Sequence, residues 1–259
     1  MQRILVIDVG NTSTSVALAE GRRLRHVSRL PTHGPNGSPA AMAALARRRA
    51  GRRRLDGAVL CSVVPARDTA WLRALRPVCT AEPIRVTHRS RLGVSIEYPR
   101  PATIGADRLA NACAAWNRYH EAVIVADFGT ALTFDVISQT GAYLGGIICP
   151  GLPLMTDYLA EKTALLPHIR LEGRFGAIGR STREAMRIGA LVGYRGMIRE
   201  LYHHVRAGLR ARRVRFCATG GYAARAVRGL GMPVAVDPYL TLEGLILIHE
   251  LNTRKEGAR

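Results

Sequence analysis

Short apolar runs separated by polar, glycine-bearing turns set the rhythm of this chain. Gln2–Val9, apolar from Ile4 on except for Asp8, reads as a buried strand, and Ser13–Leu18 returns as a second strand across the turn-prone Gly10-Asn11-Thr12, a hairpin with a polar tip. Pro31–Pro39, rich in Gly, Pro, Asn and Ser, reads as a loop, and the Ala-rich Ala40–Arg49 as a helix. Ala58–Val64 reads as a strand ended by Pro65, Thr69–Arg76 as a short helix and Ile84–Val86 as a strand. Tyr98–Ile104 reads as an extended approach to a helix through Leu109–Tyr119.

At Ala122 the pattern starts again. Val123–Ala126 reads as a strand, Asp127-Phe128-Gly129-Thr130 as a polar turn, and Leu132–Ile137 and Tyr143–Ile148 as further strands. Both halves open with an apolar strand, an Asp, one residue, a Gly and hydroxyl residues, which suggests an internal duplication. Downstream, Ser181 with Glu184 fits a capping box opening a helix to about Arg195, Val214–Ala218 a strand, Thr219-Gly220-Gly221 a turn and Thr241–Leu251 a closing helix. Gly189 and Gly193, among Arg183, Arg187 and Arg195, read as a site of close helix packing rather than of membrane dimerisation. The expectation is an α/β protein with two similar lobes, residues 1–117 and 118–259.

Composition narrows the class. Of 259 residues 47% are hydrophobic, enough for one large core or two modest ones, so a disordered chain is excluded. The apolar stretches fall far short of the roughly 18 residues a membrane span needs, and Asp8 interrupts any signal-peptide core. Cys61, Cys79, Cys113, Cys149 and Cys217 lie far apart with no CxxC pair, which points to a reduced, cytoplasmic compartment. The formal charge is +19, and all but Lys162 and Lys255 of the 38 basic residues are arginine. Such a balance marks either a nucleic-acid surface or a solvated face around a site for polyanionic metabolites. Aromatics are only 5% and do not interleave with the basic clusters Arg47–Arg49, Arg52–Arg54 and Arg206–Arg215, which argues against stacking on single strands.

The chemistry concentrates at the repeated loops. An Asp at a strand end, followed by a Gly turn and hydroxyls, holds a cation while backbone N–H groups and a Thr hydroxyl approach phosphate. Alone, Asp8-Val9-Gly10-Asn11-Thr12 is as readily a hairpin turn with an Asx hydrogen bond; the second copy at Asp127–Thr130 favours nucleotide. No P-loop, kinase Gly-rich loop or GxGxxG is present. Gly105-Ala106-Asp107-Arg108 precedes the Ala-rich helix. Asp107 is either its cap or a carboxylate kept ionised by the neighbouring cation and the helix dipole, able to take a proton from a substrate hydroxyl. Thr182 is either a residue at a helix start or a ligand, and Tyr98 either a packed loop aromatic or a ligand.

The ordered set of motifs resembles type III pantothenate kinase, of the acetate/sugar kinase, Hsp70 and actin superfamily, over essentially the whole chain. It comprises Asp8-x-Gly10-Asn11-Thr12, Cys61-Ser62-Val63-Val64-Pro65, Tyr98, Gly105-Ala106-Asp107-Arg108 and Asp127-x-Gly129-Thr130-Ala131 with Thr133 and Asp135. Gly145-Gly146-x-x-x-Pro150-Gly151, Ser181-Thr182-x-Glu184-Ala185, Thr219-Gly220-Gly221 and Leu240-Thr241-Leu242-x-Gly244-Leu245 follow. The resemblance implies two ribonuclease H-like (actin-like ATPase) lobes with mixed sheets and a cleft between them. It also implies transfer of the ATP γ-phosphoryl to the primary hydroxyl of pantothenate, the first step of coenzyme A synthesis. By the same resemblance Asp8, Val9, Gly10, Asn11, Thr12, Ser13 and Thr14 form the first phosphate loop, with Asp8 near the Mg²⁺–phosphate cluster, and Gly129 and Thr130 bind ATP. Asp107 is the general base; Tyr98, Gly105, Ala106, Asp107, Arg108 and Thr182 contact pantothenate; Asp127 binds a monovalent cation, K⁺ or NH₄⁺. Members are homodimers whose pantothenate pocket is completed at the subunit interface. Two features depart from the family: Ser13 stands where a basic or bulky residue is frequent, and the arginine content is high.

Two other functions compete. One is a non-catalytic regulator of the same fold with a basic nucleic-acid-binding surface; the intact Asp107 and Asp127 argue against it. The other is a superfamily kinase or phosphatase acting on a different small molecule.

Overall fold

Successive residues of β1 (Arg3–Val9) point to opposite faces of a sheet, and nearly all are buried. Ile4 and Val6 enter one core with α3 (Ala106–Tyr119) and α8 (Leu240–Thr253). Leu5, Ile7 and Val9 enter another with α1 (Pro39–Ala50) and α2 (Pro65–Leu75). Helices on both faces are why the run is apolar without alternation. In the computed structural model, which describes residues 1–173 and 175–254, the chain forms two units. The first is Met1–His120, Gly141–Tyr143 and the segment from Tyr239 on; the second is Glu121–Thr140 and Leu144–Pro238.

The first unit holds the five-stranded sheet β3-β2-β1-β4-β5, with β2 (Ser13–Glu20), β3 (Arg23–Pro31), β4 (Gly57–Ser62) and β5 (Ile84–Arg85). β1 pairs antiparallel with β2 and parallel with β4. In the second unit β7 (Ala122–Phe128) pairs antiparallel with β8 (Ala131–Ile137) and parallel with β10 (Val214–Thr219). With β9 (Ala142–Pro150) and β11 (Ala235–Val236) the order β9-β8-β7-β10-β11 repeats that of the first sheet. This is the duplication expected from the two Asp-x-Gly loops, and the fold is the two-lobed α/β class. β6 (Ser95–Ile96) pairs in parallel with Ala142 and Tyr143 at the start of β9. The core of the second unit lies against one face of its sheet, where Ile124, Ala126 and Phe128 meet Tyr194, Ile198 and Tyr202 of α6 (Tyr194–Gly208). The remaining helices are α4 (Leu152–Lys162), α5 (Thr182–Ile188) and α7 (Ala223–Ala226).

Several expectations need correction. The segment expected to be a second lobe, 118–259, does not stay together: the unit boundary falls after His120, and the closing helix returns to the first unit. Leu242, Leu245, Ile246 and Ile248 complete the core that α3 covers, and Thr241 donates to Asn111 at 2.7 Å with both buried. β3 and α4 have no counterpart in the sequence reading. The helix opened by Ser181, whose hydroxyl accepts from the Glu184 N–H at 3.2 Å, runs past Arg195 to Gly208 through a π-helical Gly189–Gly193. A Cβ at Gly189 or Gly193 meets nothing within 4 Å among the described residues, so these glycines form no close-packing seam with them. The close approach lies at Gly244 of α8, where a Cβ would sit 2.0 Å from the Ala110 carbonyl oxygen of α3. Gly244→Ala is therefore expected to destabilise despite alanine's better helix propensity. An overpacking cost of about 1–3 kcal/mol outweighs the gain of about 1 kcal/mol, and thermal unfolding should show a lower Tm. An unchanged Tm would mean that the two helices separate freely. No helix of the described residues is long and apolar enough to cross a membrane.

Candidate active site

Asp8 lies one residue before the end of β1, on the same sheet face as Ile4 and Val6, and the parallel register sets it beside Cys61, one residue before the end of β4. The Cys61 thiol donates to Asp8 Oδ1 at 3.3 Å. Burial, then the carboxylates of Asp8 and Asp107, push this thiol well above its ordinary pKa, so it stays protonated. The Val63 N–H bonds the Val9 carbonyl at 3.0 Å, which ties the Cys61–Pro65 segment to the root of the first loop. That loop is a tight turn: the Gly10 N–H donates to the Ser13 carbonyl at 3.1 Å, and a Cβ on Gly10 would stand 3.0 Å from the same oxygen. Asn11 and Thr12 at its tip are exposed, and Arg29 of β3 donates through Nε to Ser13 Oγ at 2.6 Å. An arginine from the neighbouring strand thus contacts the first loop at Ser13.

Asp107 is the second residue of α3, whose N-cap position is Gly105. Its Oδ1 accepts from the Arg108 N–H at 2.8 Å, one of the donors that the first helical turn leaves open. A Cβ on Gly105 would come 2.5 Å from Oδ1, so the glycine makes room for the carboxylate. The expectation that Arg108 and the helix dipole hold this pKa down is reversed. Burial is the larger effect and raises the Asp107 pKa above the ordinary value, while the backbone bond and charge of Arg108 only moderate the rise. The Arg108 guanidinium lies over the ring of Tyr143, 5.9 Å from its centroid, and Tyr98 meets Tyr143 edge-on at 6.4 Å. Tyr143 is fully buried and Tyr98 is 36% exposed. One wall of the first unit thus combines Asp107, Arg108 and two aromatic rings. Tyr143 stands outside the residues that the sequence motifs single out, and its contacts with Arg108 and Tyr98 bring it to this wall.

In the second unit Asp127 faces Thr133 across the β7–β8 pair and Thr219 across the β7–β10 pair, on the face opposite the Phe128 core. Three glycines crowd this loop. A Cβ on Gly220, at φ +91°, would lie 2.4 Å from Asp127 Oδ1, and one on Gly151 would lie 2.2 Å from the Thr130 carbonyl oxygen. The Gly129 N–H donates to the Ala131 carbonyl at 3.0 Å and the Gly151 N–H to that of Thr130, also at 3.0 Å. No group of three or more His, Cys, Asp or Glu side chains that could hold a metal ion occurs among the described residues. Thr182 also lies in this unit, exposed at the first position of α5.

Residues 4–204 match the family model for type III pantothenate kinase. A type III pantothenate kinase from Methylacidiphilum infernorum is 36% identical over 258 residues, 98% of this chain and 90% of that protein. Among solved structures, a Baf family protein from Campylobacter jejuni described as a transcriptional activator superposes with TM-score 0.61 at 19% identity, over 95% of this chain and 97% of its own. A ROK hexokinase from Thermus thermophilus does so with TM-score 0.53 at 16% identity, over 95% and 98%. At those identities the two structures speak for the fold, which is the one the resemblance implied. With its family model matched across both repeated loops and a curated relative aligned over nearly all its length, the chain belongs to the type III pantothenate kinase family.

Proposed function

We propose that this chain transfers the γ-phosphoryl group of ATP to the primary hydroxyl of pantothenate, giving 4'-phosphopantothenate and ADP. The observation that carries the reading is the meeting of Asp8, Cys61 and Asp107 at one end of the first sheet, in a chain of this family. Asp107 acts as the base. It orients the hydroxyl and accepts its proton as the oxygen bonds to phosphorus and the bond to the ADP oxygen breaks; the proton then passes to solvent. Because the transition state is loose, the base moves its proton late, and alignment with charge neutralisation does most of the work. Val9 through Thr14 cradle the phosphates of MgATP, with Asp8 facing the Mg²⁺ that enters with the nucleotide. Gly129 and Thr130 contact the nucleotide from the second loop.

Tyr98, Gly105, Ala106 and Arg108 hold pantothenate, the guanidinium over Tyr143 being placed to meet its carboxylate. Thr182 adds a hydroxyl contact. Asp127 holds K⁺ or NH₄⁺, which supplies positive charge near the phosphates in a chain whose only lysines, Lys162 and Lys255, lie outside both loops. A homodimer fits the exposed apolar residues of the second unit, Ile148 on β9 and Leu154 and Tyr158 on α4, which are 66%, 42% and 59% exposed. Five free cysteines suit a reducing cytoplasm.

The test is ADP release from MgATP with and without pantothenate, in K⁺ and in Na⁺, together with the sedimentation mass. Pantothenate-dependent turnover that requires K⁺, from a particle of twice 28.2 kDa, is the expected result. Folded protein that releases no ADP in response to pantothenate sinks the assignment.

A further inference from the structure

We propose that Thr32, just beyond β3, is the positioning residue of the first phosphate loop and thereby of MgATP; this rests on the reading of Gly10–Thr14 as the ATP loop. Thr32 and Thr14 are each 1% exposed. Thr32 Oγ1 donates to the Gly10 carbonyl at 2.7 Å and lies 2.9 Å from Thr14 Oγ1. A hydroxyl has one proton, and that of Thr32 is committed to Gly10, so Thr14 is the donor in the second bond. The result is a directed relay from the Thr14 hydroxyl through Thr32 to the Gly10 carbonyl. The Thr32 backbone N–H also donates to the Thr12 carbonyl at 3.1 Å. One residue thus fixes alternate positions of the loop.

The consequence for phosphate follows from peptide geometry. No peptide bond is cis among the described residues, and in a trans peptide the N–H points opposite to the preceding C=O. Drawing the Gly10 carbonyl toward Thr32 therefore directs the Asn11 N–H away from it, at an exposed tip where a phosphate oxygen can accept. Thr32 is itself held from behind: a Cβ on Gly37 would lie 2.2 Å from the Thr32 carbonyl oxygen. It touches no substrate in this account. It acts through the loop, and its loss should weaken one substrate and spare the other.

The experiment compares wild type, Thr32→Val and Thr32→Ser for the Kd of MgATP, the KM of MgATP and of pantothenate, kcat, and Tm. Valine keeps the shape and breaks the relay; serine restores the hydroxyl. The expected result is a rise of about tenfold or more in both MgATP constants for Thr32→Val, with the pantothenate KM within about twofold of wild type and Thr32→Ser within about threefold throughout. A lower Tm with unchanged MgATP constants, an equal loss for both substrates, or a folded Thr32→Ser that fails to rescue would each overturn the proposal. Should Thr32→Val not fold, Thr14→Val removes only the donor leg and must raise the MgATP constants in the same direction; unchanged constants overturn the proposal. Wild type that binds MgATP yet ignores pantothenate overturns the kinase reading, while the Kd comparison still decides the role of Thr32. Wild type that binds no MgATP overturns both.

Discussion

Asp107→Asn is expected to lower pantothenate-dependent turnover by roughly 10²–10⁴-fold, the usual range for removing a general base, with the KM for MgATP little changed. The same change should leave the chain as stable at neutral pH or more so. The folded pKa of Asp107 lies above its unfolded value because burial outweighs Arg108. A group shifted in that direction binds more protons folded than unfolded. The stability that its protonated form contributes is fully present below the unfolded pKa and is lost as pH rises through the folded one. At neutral pH the ionised carboxylate thus opposes folding, and asparagine removes the penalty while keeping the shape. Activity has the opposite dependence. The base works only when ionised, so wild-type kcat/KM for pantothenate should fall on acidification with an apparent pKa above the ordinary aspartate range. A pH–rate profile and a thermal melt of the two proteins check both halves. An Asn variant that keeps wild-type turnover, or an acid limb below the ordinary aspartate value, would remove Asp107 from the role of base.

That sign could not be read from the sequence, and the reason is general. Asp107 shows its neighbours in the chain, a cation and a helix start, both of which favour the charged form; burial is a property of the fold. Where local pattern and tertiary environment agree, the sequence was transparent. The apolar run at Val6 predicts a strand covered on both faces, and Asp8 with Asp127 marks the repeated strand end in each unit. Where they differ it was opaque. β3 is an edge strand whose Arg23, Arg25 and Arg29 face solvent, so it lacks the apolar alternation that reveals a strand; Thr32 beyond it fell in a stretch read only as loop. The return of α8 to the first unit depends on which core its apolar face fits, a contact more than a hundred residues distant in sequence at Thr241 and Asn111. Tyr143 meets Tyr98 and Arg108 only because the start of β9 lies beside them, a proximity no local pattern reveals.

Gly220→Ala is expected to damage the surroundings of Asp127 at the second loop. At φ +91° an L side chain is strained, and the new methyl would lie 2.4 Å from Asp127 Oδ1 and 2.7 Å from the backbone N and C of Phe128. Something must move. Phe128 is the poorer candidate: its ring is fully buried, and its carbonyl accepts from the Tyr222 N–H at 3.1 Å. The Asp127 carboxylate is the nearest group, at the end of a side chain rather than in the backbone, and should be pushed from the position proposed to hold K⁺. Displacement of a charged group by about 1 Å costs on the order of 10² in rate, and the backbone strain adds about 1–3 kcal/mol of destabilisation. A K⁺ titration of turnover should show a lower maximum and a weaker activation constant, alongside a lower Tm. Gly189→Ala is the matched comparison. Its Cβ meets nothing within 4 Å, so it should match wild type in K⁺ response and be equal or slightly higher in Tm. Wild-type K⁺ dependence in folded Gly220→Ala would separate Asp127 from the cation. A lowered Tm with an unaltered K⁺ response would assign this glycine to the backbone alone.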